Sequence, residues 1–524
     1  MNKVGKMHTN SNLEIELKLH VPDTSLAGLE KALARGKVNR VELRDLYFDT
    51  LDRQLALQQV SLRLRLENNR WVQTIKIKTS SFSTRIEYNH FRPRPELDLD
   101  LYQNTVAEKF ISQLKSALDV RYETFVQRHY RNTRQSSDLV EIAFDRGFIR
   151  SGKQELPISE IEFELKRGSR ATLFSVANQW QKDHQLILDV RSKAERGDLL
   201  CLLENKPKEH QERIGNNHSQ FESQAINLVW PARTSKALHL KPVMTTAQGL
   251  NCIMAECLDQ IIRNASVIAE VDTAKECKPD TSEHVHQLRV GIRRIRTAWS
   301  FFDGLCQLPD NEHREILKYY FGLLGGARDQ SVLQSGLMPA LIAAGQPLLN
   351  MELSTNVSEP VSVSKDSSFQ SCILNICAFM ETSAFMKAAN TASIKQVKIK
   401  KYLLLRLKKW HQKILFNSQD FDQLTLKEKH ELRKRLKKLR YALQFTIALL
   451  PDQKLKTYQR ELEVIQNLLG EINDLTTALS KFTALKDLQP EAWFACGWIS
   501  NRLTNLEQKT TKAFENFEKN RYWR

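Results

Sequence analysis

Glu14, Glu16 and Lys18 alternate along the chain with Leu13, Ile15, Leu17 and Leu19. In an extended strand, residues two apart share a face, so two carboxylates and an ammonium point together while four aliphatic side chains point away. Glu160, Glu162, Glu164 and Lys166 repeat the arrangement against Ile161, Phe163 and Leu165. Between them, Ser61 to Lys78 reads as a hairpin with Asn68-Asn69 as its two-residue turn. That turn pairs Glu67 with Arg70, Arg65 with Val72, Arg63 with Thr74 and Ser61 with Lys76. Arg63, Arg65, Lys76 and Lys78 then share one face. Val60, Leu62, Leu64, Leu66, Trp71, Ile75 and Ile77 share the other, which is apolar enough to pack beneath helices.

If such a sheet closes on itself, its charged face becomes a lumen. Cations gathered in a low-dielectric lumen repel one another unless an anion neutralises them. Gathered carboxylates call for a hard divalent cation with oxygen ligands, Mg2+ or Mn2+. A polyphosphate–metal complex meets both demands. The metals would take Glu14, Glu16 and the later acids, and the arginines and lysines would grip phosphate oxygens.

The elements that must hold these residues fall into two grammars. Up to about residue 200 the dominant period is two, with a few helical stretches such as Leu26–Ala34 and Ala171–Asp183. Alternating strands with few long helices predict an antiparallel sheet closed into a barrel. After about residue 245 the period is 3.6. Amphipathic helices are expected at 247–269, 282–303, 310–324, 396–416, 425–450, 455–483 and 489–518. The polar Glu204–Gln224 reads as linker, and the Ser/Pro-rich stretch 344–370 as a mobile loop. The expected domains are therefore 1–203, a linker 204–245, and a helical domain 246–524.

Composition limits the partners. A chain of 524 residues with 41% hydrophobic and 27% charged residues is globular, and too long for a single core. The formal charge of +17 points to an anionic partner. No apolar run approaches the roughly 20 residues of a membrane span. Eight scattered cysteines without a Cys-x-x-Cys pair read as reduced thiols of a cytoplasmic protein.

The helical half repeats itself. His286, Arg289, Arg293 and Arg296 match His430, Arg433, Lys437 and Arg440 without a gap. Further on, Leu323-Leu324-Gly325 with Asp329 matches Leu468-Leu469-Gly470 with Asp474. Near-equal offsets in two separate motifs indicate an internal duplication into two related four-helix units. Within each motif the spacing i, i+3, i+7, i+10 places the basic residues on one helix face. Two such stripes suit a long polyanion. No aromatic residue is interleaved with them to stack bases, so nucleic acid is the less favoured anion.

Residues 12–200 resemble the CYTH domain, the triphosphate tunnel metalloenzyme family. The resemblance rests on Glu14-x-Glu16-x-Lys18, Tyr47-Phe48-Asp49-Thr50, Leu62-Arg63-Leu64-Arg65, Trp71-x-Gln73-Thr74-x-Lys76 and Arg85-x-Glu87. It continues through Arg128, Glu141, Asp145-x-Gly147, Ser159 to Leu165, and Ser192 to Gly197. It implies an eight-stranded antiparallel tunnel with flanking helices. Metal-facing acids would be Glu14, Glu16, Asp145, Glu160 and Glu162. Phosphate-binding cations would be Lys18, Arg63, Arg65, Lys76, Arg85, Arg128, Lys193 and Arg196. Glu14, Glu16, Lys18 and Lys76 would carry the chemistry, one metal orienting the triphosphate and a second activating water. Two family glycines are replaced here, by Gln59 and Ile77.

Residues 246–518 resemble the CHAD domain, a conserved-histidine helical module, which implies inorganic polyphosphate binding in a basic groove between two helical units. The tandem order is similar to that of bacterial inorganic triphosphatases. It implies hydrolysis of tripolyphosphate to pyrophosphate and phosphate with Mg2+ or Mn2+. Adenylyl cyclase, a thiamine or nucleoside triphosphatase, and a non-catalytic polyphosphate scaffold are the alternatives that the lumen charges alone leave open.

Overall fold

Alternation in the first half produces long strands because each places one apolar and one charged row on opposite sides of a pleat. The computed structural model describes residues 12–204, 230–272, 281–347, 349, 359–382, 399–450 and 452–519. Its strands are β1 (Leu13–His20), β2 (Asn39–Asp49), β3 (Val60–Glu67), β4 (Arg70–Lys78), β5 (Thr84–Arg92), β6 (Asp119–Gln135), β7 (Asp138–Ser151), β8 (Gln154–Arg167) and the short β9 (Ile187–Leu188). They join in the order β5-β4-β3-β2-β6-β7-β8-β1-β9, and β1 also pairs with β5. That last pairing, Leu13 with Ile86 through Ile15 with Thr84, closes eight antiparallel strands into a barrel. The two ends of β1 divide the work: Glu16 to His20 pair with β8, and Leu19 and His20 also meet β9.

The β3–β4 hairpin has the register that its turn requires, Glu67 opposite Arg70 and Ser61 opposite Lys76. Asn68 and Asn69 take φ of 47° and 62°, the left-handed pair of a type I′ turn. The outward row of this hairpin, Val60, Leu62, Ile75 and Ile77, packs against Leu55 of α2 (Gln54–Leu57), Tyr102 and Ala107. Burying such side chains stabilises by about 1.5–3 kcal/mol each. Gln59, where the family usually has glycine, holds φ at 58°, so the left-handed turn is kept at a steric cost. Ile77 sits in β4, paired with Val60 and Ile86 and buried in this cluster.

Two further helices flank the barrel, α1 (Leu26–Leu33) and α4 (Arg170–His184), near the expected limits; α3 (Glu108–Ile111) is a single turn. A helix not anticipated, α5 (Lys193–Glu204), packs Leu200 and Ala194 onto the inward-facing Val41, Leu43, Tyr47, Tyr122, Val126, Ile149 and Ile158. One part of the barrel interior is thus filled with apolar side chains, and the charged part is left open.

Gly147 on β7 lies where a side chain has no room. A Cβ there would meet the Phe125 carbonyl oxygen at 1.8 Å. Gly147→Ala is expected to destabilise the barrel by about 3 kcal/mol or more, because backbone and not a flexible side chain must give way. A urea melt within about 0.5 kcal/mol of wild type, the range of a neutral surface change, would contradict this account.

The second half is helical: α6 (Thr246–Ile268), α7 (Ser282–Phe302), α8 (Asn311–Val332), α9 (Met338–Ala343), α10 (Pro360–Lys365), α11 (Ser367–Glu381), α12 (Ile399–Asn417), α13 (Leu426–Thr446), α14 (Asp452–Leu485) and α15 (Ala492–Lys519). The element order repeats: α7 and α13 carry the histidine motifs, α8 and α14 the glycine motifs. A capping box on Thr425 and Glu428 starts α13. The stretch 344–370 needs correction. Its described part from residue 360 is helical, with Pro360 opening α10 and the Asp366 carboxylate capping Ser368 N and Phe369 N at the start of α11. Pro360 at the first helical position and Asp366 as the cap are helix-start signals set in a composition typical of loops. Residues 348 and 350–358 of that stretch lie outside the described residues, as does 205–229, most of the expected linker.

The chain divides into two compact units that do not follow chain order. One comprises Met1–Arg233, Ile262–His284 and Ser364–Ser383; the other Thr234–Ile261, Val285–Val363 and Ala384–Arg524. Within the first, Ser371 Oγ donates to Asn178 Oδ1 at 2.8 Å, and Asn178 Nδ2 to Asn375 Oδ1 at 2.9 Å, binding α11 to α4. Glu381 at the end of α11 accepts from Ser81 Oγ, Phe82 N and Arg170 Nη1 at 2.6–2.8 Å.

Candidate functional site

Strand parity turns Glu14, Glu16 and Lys18 inward from β1, Arg63 and Arg65 from β3, Lys76 and Lys78 from β4, and Arg85 and Glu87 from β5. Arg128 enters from β6, Glu141 from β7, and Glu162 and Glu164 from β8. All line one cavity of about 870 Å3. Lys193, at the start of α5, lines it too. Asp145, Glu160 and Arg196 do not line it; they lie buried beneath it at 0%, 3% and 2% exposure.

The lumen is internally neutralised. Asp45 is fully buried and accepts two parallel bonds from Arg65, Nε to Oδ1 at 2.6 Å and Nη2 to Oδ2 at 3.0 Å, with Arg63 at 3.5 Å. Burial alone would push the Asp45 carboxyl up, but the two guanidinium groups outweigh it and hold it well below the usual carboxylate range. Arg128 grips Asp145 in the same bidentate way, both bonds 2.7 Å, and also reaches Glu162. Lys193 Nζ lies 2.7 Å from Asp145 and 2.8 Å from Glu162, and also pairs with Glu160. Lys18 pairs with Glu160 at 3.4 Å. Lys76 bridges Glu14 at 2.6 Å and Glu87 at 2.9 Å. Burial pushes Glu14 well above the ordinary carboxyl value, Lys76 opposing and Glu16 and Glu87 adding to the rise. Burial pushes Glu87 the same way, but it faces both Lys76 and Arg63 and is the member of the pair held down.

Two sets of carboxylates have the oxygen chemistry of a hard-cation site. Asp145, Glu160 and Glu162 bring one oxygen each to within 4.8 Å of one another. That triad already encloses the Lys193 ammonium, so a divalent ion enters it only by displacing Lys193. Glu14 and Glu16 face the open cavity, and Glu16 stands opposite Glu164, which stands opposite Glu141, in a row across β1, β8 and β7. Among the described residues no ion pair is formed by Glu16. The donor set on this side fits a divalent cation.

Arg196 lies away from the cavity lining. Its guanidinium meets Glu160 at 3.1 Å, the Pro157 carbonyl and Asp272. Asp45 went unrecognised in the sequence. The signal was present: in Val41-x-Leu43-x-Asp45-x-Tyr47 an acid stands in an otherwise apolar inward row.

In the helical unit, α7 presents His286, Arg289, Arg293 and Arg296, and α13 presents His430, Arg433, Lys437 and Arg440. The stripes converge. Arg293 Nη1 reaches Tyr441 Oη at 3.4 Å, and burial together with Arg293, Arg433 and Arg440 pushes the Lys437 ammonium down to about 7. His430 Nδ1 is 3.0 Å from Asn473 Oδ1, and Arg433 is 3.8 Å from Asp474. No aromatic residue is interleaved between the stripe residues, but rings lie beside them in the fold. Arg289, Arg293 and Arg296 lie 4.6, 5.3 and 5.6 Å from the ring centroid of Phe321, and Arg440 lies 5.3 Å from Tyr441. Phe321 belongs to α8, outside the basic run, so only the packing of α8 on α7 brings it there. Gly325 assists, since a Cβ on it would come within 3.2 Å of Arg289 Nη1.

Comparison with known proteins places these features in two families. The CYTH domain model matches residues 12–197 and the CHAD domain model residues 252–482. An inorganic triphosphatase of Haemophilus influenzae is 32% identical over 196 residues, which is 36% of this chain and 54% of that protein. The chain thus spans about half the length of the curated relative it matches. Among solved structures, the CHAD domain from the plant Ricinus communis is 20% identical with a TM-score of 0.40, covering 54% of this chain and 96% of that one. A putative adenylate cyclase from Bacillus halodurans is 22% identical with a TM-score of 0.25, covering 32% and 88%. The chain is a CYTH domain, residues 12–197, followed by a CHAD domain, residues 252–482.

Proposed function

We propose that the tunnel hydrolyses inorganic tripolyphosphate to pyrophosphate and phosphate, and that the basic stripes of the helical domain bind inorganic polyphosphate. The observation that carries the first part is the lumen itself: Lys18, Arg63, Arg65, Lys76, Lys78, Arg85, Arg128 and Lys193 are among the cations that line one cavity together with Glu14 and Glu16. Its similarity to an inorganic triphosphatase supports the same reading.

A divalent cation on Glu14 and Glu16, Mg2+ or Mn2+, would polarise a phosphoryl oxygen and supply activated water. The chain's own residues do the rest. Arg63, Arg65, Arg85 and Arg128 take the phosphate oxygens with the guanidinium N–H groups turned to the cavity. Asp45 holds Arg65 in a fixed fork, so the guanidinium is aimed before substrate arrives. Lys18 and Lys76 neutralise charge that builds on the departing phosphate. Arg196 and Glu160 hold Lys193 in place from below.

The test is phosphate release from tripolyphosphate, ATP and thiamine triphosphate, each with Mg2+ or Mn2+. Release from tripolyphosphate alone is expected. Cyclic AMP from ATP, or faster release from either organic substrate, would replace this reading by a cyclase or an organic triphosphatase. Binding of polyphosphate without turnover would leave the scaffold.

The stripes make a pH prediction. Lys437 titrates near 7 in the free protein because burial and three arginines disfavour its charge. A phosphate chain reverses that balance. Affinity for polyphosphate is therefore full below pH 7 and falls as pH rises towards 9, with proton uptake on binding at pH 8. Lys437→Met should flatten the profile and weaken binding at pH 6 by about tenfold. In the free protein the sign is opposite: a lysine depressed below its unfolded value destabilises below pH 7 and is relieved as pH rises, so Lys437→Met should raise the melting temperature at pH 6. Titration calorimetry in buffers of different ionisation enthalpy reads the proton uptake directly.

A further inference from the structure

The second basic stripe borders a cavity of about 520 Å3 whose remaining walls are largely apolar, with Lys481 and Arg502 the basic residues among them. Arg433, Lys437 and Arg440 line one part. Leu337, Leu475 and Trp498 line another. Arg502 lies 5.4 Å from the Trp498 ring centroid and is itself held by Glu471 at 2.6 Å, which fixes that wall. Asp474 lies 3.8 Å from Arg433, and Glu471 lines the cavity as well.

Two residues that line this cavity carry a buried side-chain atom without a hydrogen-bond partner. Gln466 is 5% exposed; its Nε2 donates to the Leu436 carbonyl at 2.8 Å, which leaves Oε1 as an acceptor without a donor. Arg440 Nε is a donor without an acceptor. Buried groups left so are costly, and a ligand that satisfies them recovers the cost. Inorganic polyphosphate at neutral pH supplies acceptors and almost no donors. It answers Arg440 but neither Gln466 nor the apolar wall.

We infer that this cavity binds a nucleotide, its phosphates on Arg433, Lys437 and Arg440, its flat heterocycle against Trp498 and the leucines, and an N–H or O–H of base or ribose on Gln466 Oε1. The phosphate half of the inference rests on the anion-binding reading of the stripe; the aromatic wall and Gln466 are independent of it. A nucleotide matches the three features together, a charged, a flat apolar and a donating group within one small molecule.

Calorimetric titration of the full chain in EDTA, with ATP, adenosine and tripolyphosphate, tests the inference, alongside binding of long-chain polyphosphate. ATP is expected to fill a site beyond the tunnel, one that adenosine and tripolyphosphate fill more weakly and that the substitutions below weaken. Trp498→Ala and Gln466→Met should each weaken ATP by roughly tenfold, the scale of one lost base stack or buried hydrogen bond, and leave both inorganic ligands within about twofold. Trp498→Phe, which keeps a ring, should retain most of the affinity and covers the case in which the alanine variant fails to fold. ATP affinity indifferent to both substitutions, or lowered only in step with tripolyphosphate, would overturn the inference and make the cavity a widening of the basic groove. ATP binding with these sensitivities in a chain that ignores long-chain polyphosphate would overturn the stripe reading alone.

Discussion

Replacing Glu14 and Glu16 together by alanine is expected to lower phosphate release from tripolyphosphate by about three orders of magnitude or more, a loss on the scale of a missing metal-activated nucleophile. The two carboxylates leave β1 on the same face and open onto the cavity, where the Asp145 triad is already occupied by Lys193. Their removal also frees Lys76 from its 2.6 Å contact with Glu14, but Glu87 remains at 2.9 Å, so the ammonium keeps a partner and the barrel should stay folded. Circular dichroism and a melting curve close to wild type would establish that. Phosphate release is then measured across a range of Mg2+ and Mn2+. Residual turnover recovered by high metal concentration would place part of the metal binding on Glu162 and Glu164. Turnover within tenfold of wild type at every concentration would remove Glu14 and Glu16 from the catalytic reading.

Asp45→Ala should damage stability and turnover together. The carboxylate is fully buried and holds Arg65 by two bonds, Arg63 by an ion pair and Thr124 by a third hydrogen bond of 3.1 Å. Its loss leaves two desolvated guanidinium groups without their shared counter-charge, a change that costs about 3–5 kcal/mol when a buried pair is broken from one side. With its fork released, Arg65 no longer waits in one geometry for phosphate, and kcat/KM should fall by roughly a hundredfold. A distinguishing sign is available. Tripolyphosphate or pyrophosphate supplies the missing negative charge, so either anion should raise the melting temperature of Asp45→Ala by more than it raises that of wild type. Equal shifts in the two proteins would mean that Asp45 does not position these arginines for phosphate.

How much of this was legible beforehand varies with the physics behind each element. The hairpin from Val60 to Lys78 was fully legible, register included, because a two-residue turn with left-handed asparagines admits one pairing. The parity that collects Glu14, Glu16, Arg63, Arg65, Lys76 and Arg85 on one face was equally legible, since period two is a property of the strand alone. The two basic stripes followed from helical spacing and from their own repetition. Helix α11 was hidden by serines that read as loop although Asp366 caps them.

The sequence by itself determined which residues share a face, where the period changes from two to 3.6, and that two helical motifs are copies. Local geometry dictates all three. Only the tertiary structure decided which charges meet. Closure of β1 on β5 turns a charged face into a cavity. Asp45 finds Arg65 across β2 and β3, Lys193 enters from a helix after the last long strand, and Phe321 slides beneath arginines of another helix. Arg196 carries the same charge as Arg128 and still ends beneath the cavity floor, since burial and partner are set by neighbours distant in sequence. Electrostatic partnership falls steeply with separation in space, and separation in space is what a linear pattern leaves open.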